Sequence, residues 1–154
     1  MNSDYCIIDP RPLESFKDKS FSDFKKKDVY NTLFKCIDEG KLEEACYWVT
    51  ECVCSGYSID LFDKLVLHSS KIIHVNSPKL PGYLWRKYII FTKSYNHIGK
   101  KEKDQLIHLR NTQSVRNVFF DLVVTMATSP KTKRFDKYPK VNEDHFQYGK
   151  IQSK

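Results

Sequence analysis

Hydrophobic and polar positions repeat with the period of an α-helix over most of this chain. Within the stretch 42–91, apolar residues recur three and four positions apart, and short turns separate successive segments. The segment 42–55, for example, places Ala45, Val49 and Cys52 on one face. The alternation of apolar and polar residues that is typical of a strand followed by a tight turn does not occur. The pattern therefore predicts an all-α fold.

Five or six helices are predicted, and their boundaries depend on a few residues that begin or end helices. Gly40 and Gly56 tolerate the left-handed backbone conformation that often follows a helix. Ser58 and Thr112 are suitable N-caps, and proline, here Pro81, suits a first helical position. The predicted helices span about 28–39, 42–55, 58–73, 81–95, 103–110 and 113–128.

The same pattern divides the 154 residues into one bundle and two flanking segments. Because Pro10 and Pro12 exclude a helix interior, residues 1–27 are predicted to form an extended N-terminal arm. Residues 28–129 are predicted to form a single-domain bundle, and 130–154 a basic, irregular tail. The side chains expected to pin the arm are Tyr5, Ile7, Ile8 and Leu13, and those expected to pin the tail are Phe135, Tyr138 and Phe146. Core positions are expected at Leu65, Ile72, Phe119 and Leu122.

Charge changes the picture because it is unevenly distributed. The net charge is +7, yet residues 38–63 carry −6, residues 85–110 carry +5 and the segment after Pro130 carries +4. This layout suits either a phosphate-binding face or complementary ends through which copies or partners dock, and we favour docking. The predicted basic face comprises Arg86, Lys87, Lys93, Lys100, Lys101, Lys103, Lys131, Lys133 and Arg134. The predicted acidic face comprises Glu39, Glu43, Glu44 and Asp60. Solvated helix faces that need no partner are the third interpretation.

Aromatic residues are interleaved with the first of these basic residues. Trp85, Tyr88, Phe91 and Tyr95 recur among them at spacings of three and four. Such an arrangement would suit stacking on the bases of a single strand. The same spacing is also typical of the buried face of a helix. The buried face is the stronger prediction.

Residues that could carry chemistry do not form a recognised catalytic or metal-binding pattern. The five cysteines are odd in number and irregularly spaced, which favours reduced thiols within helices. Cys52 and Cys54 would diverge by about 200° on one helix, so a shared metal ion is not expected. His68 is interpreted as a satisfied histidine at the core edge, six positions from His74, and Glu51 as a member of a structural ion pair. We predict no enzyme, cofactor, metal or small-molecule substrate.

The chain also lacks sequence signals for a membrane or for secretion. Acidic residues occur early in the N-terminus, and no apolar run has the length of a signal peptide. No stretch approaches the roughly 18 uninterrupted apolar residues that a membrane-spanning helix needs. A soluble, intracellular protein is predicted.

Three segments, EEACYWVTECVCSGY, KIIHVNSPKLPGYLWRKY and RNTQSVRN, resemble an uncharacterised protein family of nucleocytoplasmic large DNA viruses. The resemblance covers about 33–135, and its members are often longer than this chain. A composition rich in Lys, Ile, Asn and Tyr fits a giant virus. The family implies no established activity.

A second, looser resemblance is carried by small and aromatic residues. The chain is similar to the C-terminal helical domain of MgsA-type AAA+ ATPases at a few positions. These are an acidic residue before Ala45, the pair 47–48, Gly56, the pair 69–70, an Asn-x-Pro turn and the sequence MATSPKTKRF. That domain is related to the clamp-loader collar, and the likeness implies oligomerisation beside DNA. The ATPase module is absent from these residues, so ATP hydrolysis is not implied.

These features together predict a non-enzymatic helical interaction or assembly module of a giant virus, associated with DNA replication or nucleic acid. A minor structural protein of the virion, in its capsid or core, is the alternative, and an enzyme of unrecognised type is the second alternative. The predicted locations are the host cytoplasm, the viral factory or the virion. Protein partners or self-association are expected first, and nucleic acid second. The sequence leaves open the oligomeric state and whether DNA, RNA or protein meets the basic face.

Overall fold

A computed structural model describes residues 6–73, 76–96 and 105–132, and these residues form one all-α domain. The predicted fold class is confirmed, and the helix boundaries agree with the prediction to within a few residues. The six α-helices are α1 (Lys26–Glu39), α2 (Leu42–Cys54), α3 (Ser58–Ile72), α4 (Leu80–Asn96), α5 (Gln105–His108) and α6 (Gln113–Thr128). A 3₁₀ turn at Leu109–Asn111 joins α5 to α6.

The core is built around α6, which packs against α2, α4 and α1. Its face Val115, Phe119 and Leu122 is completely buried, as the helical period predicts. Leu65 of α3 is also completely buried, whereas Ile72 is partly buried against the core. Three of the four expected core positions are thus confirmed as buried, and Ile72 lies at the edge of the core.

The two interhelical glycines end their helices as predicted. Gly40 follows α1 with φ of +69°, and Gly56 follows α2 with φ of +77°. At Gly56 an added Cβ would also lie 2.9 Å from Leu13 Cδ1, but the end of that side chain can shift, so it is the positive φ that favours glycine here.

Several predicted capping details are wrong. The N-cap of α3 is Tyr57, and Ser58 is the first helical residue, with its hydroxyl buried and without a partner in the described part of the chain. Thr112 does occupy the N-cap of α6, but its side chain makes no capping hydrogen bond. Helix α4 begins at Leu80, one residue before Pro81.

The N-terminal segment is more structured than the predicted extended arm. Residues Leu13–Phe16 form a 3₁₀ helix, and the ring of Phe16 is 1% exposed in the core. The loop that follows folds back on itself through an antiparallel bridge between Lys19 and Lys25. Ile8, which was expected to pin the arm, is 93% exposed.

Polar contacts hold the start of the described chain against the 3₁₀ turn before α6. Asn111 accepts a hydrogen bond from the Ile7 backbone N–H (2.8 Å) and donates one to the Ile7 carbonyl (3.0 Å). The buried Arg110 donates to the carbonyl oxygen of Asp9 at 3.2 Å. Hydrogen bonds from Arg11, with smaller contributions from both arginine charges, lower the pKa of Asp9 to about 2. Residues 7–11 are therefore tied to the bundle by side chains.

The aromatic series on α4 departs from the predicted buried face. Only Phe91 is buried, whereas Trp85 is 62% exposed, Tyr88 40% and Tyr95 39%. Leu84 is the other apolar residue in the middle of α4 that is buried. The prediction that all four aromatic side chains lie in the core is wrong, because Phe91 alone among them packs on Phe119 of α6 and the other three rings remain exposed.

Two adjacent phenylalanines of α6 provide a test of the packing. Phe119 is completely buried and Phe120 is 39% exposed. We expect Phe119→Ala to lower the free energy of unfolding by about 3–5 kcal/mol, since it removes a large core side chain. Phe120→Ala should cost clearly less, about 1–2 kcal/mol, because part of its ring already contacts water. Urea denaturation followed by circular dichroism measures both, and equal losses would contradict this assignment of the core.

Candidate anion-binding cleft

The four described members of the predicted basic face are divided between exposed side chains and side chains held in intramolecular contacts. Arg86 and Lys93 are exposed on α4. Lys87 is partly buried and forms an ion pair with Asp121 of α6. Lys131 donates hydrogen bonds to two carbonyl groups at the end of α6, and burial lowers its pKa. The other predicted members, Lys100, Lys101, Lys103, Lys133 and Arg134, lie outside the described residues.

The predicted acidic face is also divided. Lys41 forms ion pairs with Glu39 at 2.9 Å and with Glu44 at 3.8 Å, while Glu43 is exposed nearby on the first turn of α2. Asp60 belongs to a different surface, on α3, where its neighbours are lysines. The turn between α1 and α2 thus holds three of the four predicted acidic residues.

A lysine-rich cleft lies between the N-terminal loop, α1 and α3. Its volume is about 880 Å³, and seven lysines from three separate segments line it. These are Lys17, Lys19, Lys25, Lys26, Lys27, Lys64 and Lys71, and the other lining residues are Asp18, Tyr30, Asn31, Phe34, Asp60, Leu67 and His68. We refer to this surface as the lysine cleft. Its lining includes only two carboxylates, so its net charge is strongly positive.

The loop that carries three of these lysines has a defined backbone. Ser20 N–H donates to the Phe24 carbonyl at 2.7 Å, and Lys26 N–H donates to the Asp18 carbonyl at 2.9 Å. Asp23 adopts a left-handed conformation with φ of +65° at the tip. Because aspartate tolerates this conformation better than most residues, the loop can close tightly there.

Three residues at the end of α2 fasten this loop to the bundle. Tyr57 places its hydroxyl 2.7 Å from the Phe16 carbonyl oxygen and 2.8 Å from that of Lys19. Ser55 Oγ accepts a hydrogen bond from the next part of the loop, the Phe21 N–H, at 2.7 Å. The buried carboxylate of Glu51 accepts from the Ser22 backbone N–H at 2.6 Å and from its hydroxyl at 2.9 Å. We call Glu51, Ser55 and Tyr57 the loop anchor.

The role of Glu51 differs from the prediction. A structural ion pair was expected, but among the described residues no basic nitrogen lies within 4.0 Å of its carboxylate. Its hydrogen bonds to Ser22 satisfy the buried oxygens instead, as buried polar groups require.

Asp60 forms the principal ion-paired group within the lysine cleft. It accepts a hydrogen bond from Tyr30 at 2.8 Å, and its carboxylate lies 3.4 Å from both Lys26 Nζ and Lys64 Nζ. Burial alone would raise the pKa of Asp60, but the hydrogen bond and the two lysines outweigh that effect and lower it. Burial also raises the pKa of Tyr30, so the phenol remains neutral and donates. Asp60 is therefore ionised at neutral pH.

The other five lysines of the cleft lack such partners. Within the described part of the chain, no carboxylate lies within 4.0 Å of the ammonium groups of Lys17, Lys19, Lys25, Lys27 and Lys71. All five side chains are exposed. Like charges gathered in a concave surface create a positive potential that attracts anions.

The N-terminal lysines were not among the predicted site residues, although a signal was present. Five lysines occur within residues 17–27. Asp18 and Asp23 reduce the local net charge, and an extended arm would not place the lysines on one surface, so no site was predicted there. Lys64 and Lys71 are far from them in sequence and lie on α3 among acidic and apolar neighbours. Only the tertiary packing of the loop against α1 and α3 brings the two groups together.

An apolar groove lies on the other side of α3. It has a volume of about 590 Å³ and separates α3 from α4. Its lining residues are Phe62, Asp63, Val66, Leu67, Ser69, Ser70, Leu80, Pro81, Leu84, Trp85 and Tyr88. Leu67, which is 55% exposed, lines both this groove and the lysine cleft. The two concave surfaces therefore adjoin across a single ridge of α3.

The other residues that could take part in catalysis or metal binding make contacts that stabilise the fold. His68 Nε2 lies 2.7 Å from Asp38, and its ring stacks on Phe34 with a centroid distance of 4.6 Å, which confirms the prediction of a satisfied histidine. The described residues contain no group of three or more His, Cys, Asp or Glu side chains placed to hold a metal ion.

Comparison with protein-family models, curated proteins and solved structures finds no match for this chain. The two resemblances predicted from sequence therefore remain predictions. Among the described residues, no helix combines the length and apolar character needed to cross a membrane.

The loop anchor can be tested by removing one hydroxyl. We expect Tyr57→Phe to lower the free energy of unfolding by about 1–3 kcal/mol, because carbonyl groups at Phe16 and Lys19 lose a buried donor. Tyr47→Phe is the matched control, since Tyr47 is 53% exposed and water can hydrate its hydroxyl. Chemical denaturation measures both variants. Equal stability of the two would show that the Tyr57 hydroxyl contributes nothing to the anchor.

The cysteines give a test of burial by chemical labelling. All five are free thiols; Cys6 is exposed, whereas Cys36 and Cys52 are buried. Burial raises the pKa of Cys36, Cys46, Cys52 and Cys54, which lowers the fraction of reactive thiolate at a given pH.

We expect a disulfide reagent at neutral pH to modify Cys6 rapidly in the native protein, and Cys52 only after unfolding. Counting labelled thiols by mass spectrometry with and without urea checks this order. Labelling of native Cys52 as rapid as that of Cys6 would contradict the packing of α2.

Proposed function

We propose that this protein is a non-enzymatic helical module that binds nucleic acid through the lysine cleft. The observation that supports this function is the convergence of seven lysines from three segments on one concave surface. Five of them have no carboxylate within ion-pair distance in the described chain. A polymer of phosphates supplies the matching charge, and release of its counterions drives binding.

The extent of the positive surface favours a polymer over a small anion. Lys64 and Lys71 are seven residues apart on α3, which corresponds to about 10 Å along the helix. The five N-terminal lysines extend the surface along the loop and the start of α1. Lysine acts as a point charge that follows a phosphate backbone and does not impose the planar geometry of an arginine fork. Such a surface suits contacts that are repeated along a strand.

Docking of complementary ends, which the charge layout favoured, has less support from the geometry. Lys41 already neutralises part of the acidic turn between α1 and α2, and Asp60 lies inside the lysine cleft. Assembly within a virus particle and a place in a giant virus remain predictions from sequence.

Charge reversal at two positions of the cleft tests this function. We expect Lys27→Glu with Lys71→Glu to weaken binding of a fluorescently labelled oligonucleotide and to reduce the slope of log K against log salt by about 1.4–1.8, as two phosphate contacts are lost. Both side chains are exposed, so folding should persist. Anisotropy titrations across a salt series measure the slope.

The matched comparison is Arg86→Glu with Lys93→Glu, which makes the same charge change on the exposed side of α4. We expect a smaller effect on the salt slope from this pair. An equal loss from both pairs would indicate that net charge, and not the cleft, drives association. Absence of binding by the unmodified protein at low salt would refute the proposed function.

A further inference from the structure

We propose that the nucleic acid bound by this protein is single-stranded, with phosphates in the lysine cleft and bases stacked in the apolar groove between α3 and α4. This inference rests on the proposed function and adds the form of the ligand. Three observations support it: the exposed aromatic rings of α4, the chemical contrast between the two surfaces, and their contact across Leu67.

The aromatic rings form a series that runs from the core to the surface. Phe62 is 3% exposed, and its ring centroid lies 5.5 Å from that of Tyr88. Tyr88 in turn stacks on Trp85, with a centroid distance of 5.6 Å and an interplanar angle of 25°. Because Trp85 is 62% exposed at the end of this series, it can present aromatic surface to a base. Its packing on Tyr88 supports the ring from behind, which limits the entropy lost on binding.

The chemistry of the groove suits bases and disfavours phosphates. Its lining is dominated by aliphatic and aromatic side chains, and Asp63 is the one charged residue that lines it in the described chain. A phosphate placed there would meet a carboxylate and no lysine. In the lysine cleft the balance is the opposite. A nucleic acid strand that crosses α3 can therefore place its phosphates in the lysine cleft and its bases in the apolar groove.

The geometry of the ridge permits this division only for an unpaired strand. Leu67 lines both surfaces, so the distance across the ridge is about that of one helix, which is roughly 10 Å wide with its side chains. In a duplex the bases are stacked inside and paired, and their faces are unavailable to an aromatic side chain. Aromatic stacking combined with a positively charged track is the usual mode of binding single strands.

A protein segment is the other occupant that an apolar groove could take. The adjoining positive surface favours the nucleic acid strand, because the charge complementarity extends directly from the groove. Self-association through Trp85 is therefore an outcome that the experiment must distinguish.

The test compares two single strands that differ only in their bases, together with a duplex in which the bases are paired. The probes are a labelled dT12 strand, an abasic strand of twelve units with the same phosphates, and a twelve-base-pair duplex. We expect the protein to bind dT12 about tenfold or more tightly than the abasic strand, since each base stacked on an aromatic ring contributes appreciably. We expect Trp85→Ala to reduce dT12 affinity to the abasic level and to leave abasic binding unchanged.

Two further variants make the result specific to the ring. Trp85→Phe retains an aromatic face and should keep most of the preference for dT12. Tyr47→Ala removes a comparably exposed aromatic residue of α2, which does not line the groove, and should leave all three affinities unchanged. Thermal unfolding of each variant by circular dichroism confirms that it is folded.

The possible failures are distinguishable. Equal binding of dT12 and the abasic strand, or an unchanged dT12 affinity in Trp85→Ala, overturns the single-strand inference. The proposed function still stands in that case if binding depends on the lysines of the cleft. Sedimentation of the unmodified protein and of Trp85→Ala measures self-association. If Trp85→Ala loses self-association while its dT12 affinity is unaltered, the groove is a protein interface and the single-strand inference is overturned. If the unmodified protein binds none of the three probes, both proposals fail.

Discussion

The hydrogen bonds between the N-terminal loop and the end of α2 are the contacts on which the candidate site depends. Glu51 and Ser55 accept hydrogen bonds from backbone N–H groups of the loop. The Tyr57 hydroxyl lies within hydrogen-bond distance of two carbonyl oxygens earlier in the chain, those of Phe16 and Lys19. Lysines repel one another, and a loop that carries several of them would otherwise move away from a basic surface. Buried polar contacts oppose this repulsion, and the cost of leaving such groups without partners makes the arrangement specific. The lysine cleft is thus a product of polar anchoring as much as of helix packing.

Most of the fold could be predicted from the sequence because its signals are local. The apolar period of α6 identifies a completely buried face, and Gly40 and Gly56 end their helices with positive φ. The N-terminal segment was harder to predict, since Phe16 has no periodic neighbours and enters the core from a single 3₁₀ turn. Glu51 was misassigned for a related reason: its partner is a backbone N–H of a distant loop, which leaves no trace in the sequence.

The candidate site was predicted less well, because surfaces depend on how elements are arranged. Helical spacing correctly places Trp85, Tyr88 and Phe91 near one side of α4, but it cannot show that α3 stands apart and leaves two of these rings exposed. Likewise, the distribution of charge along the chain places the basic residues in the second half. Lys27 and Lys71 are distant in sequence, and only the fold brings both to the lining of one cleft. The sequence thus pointed to lysines and aromatic rings as candidate site residues, but it did not predict that the N-terminal lysines and those of α3 line one cleft.

Arg110 shows why the residues before the first 3₁₀ helix belong to the folded unit. Arg110 is 3% exposed, two of its side-chain nitrogens have no partner in the described chain, and the Asp9 carboxylate, which pairs with Arg11, is the acidic group near it. A buried cation is costly unless a compensating group accompanies it. A shortened protein designed to retain only the helices would lose the Asp9 carbonyl that accepts a hydrogen bond from Arg110, together with the nearby Asp9 carboxylate. For recombinant work, the boundary of the minimal stable fragment therefore lies upstream of Ile7, well ahead of the first long helix.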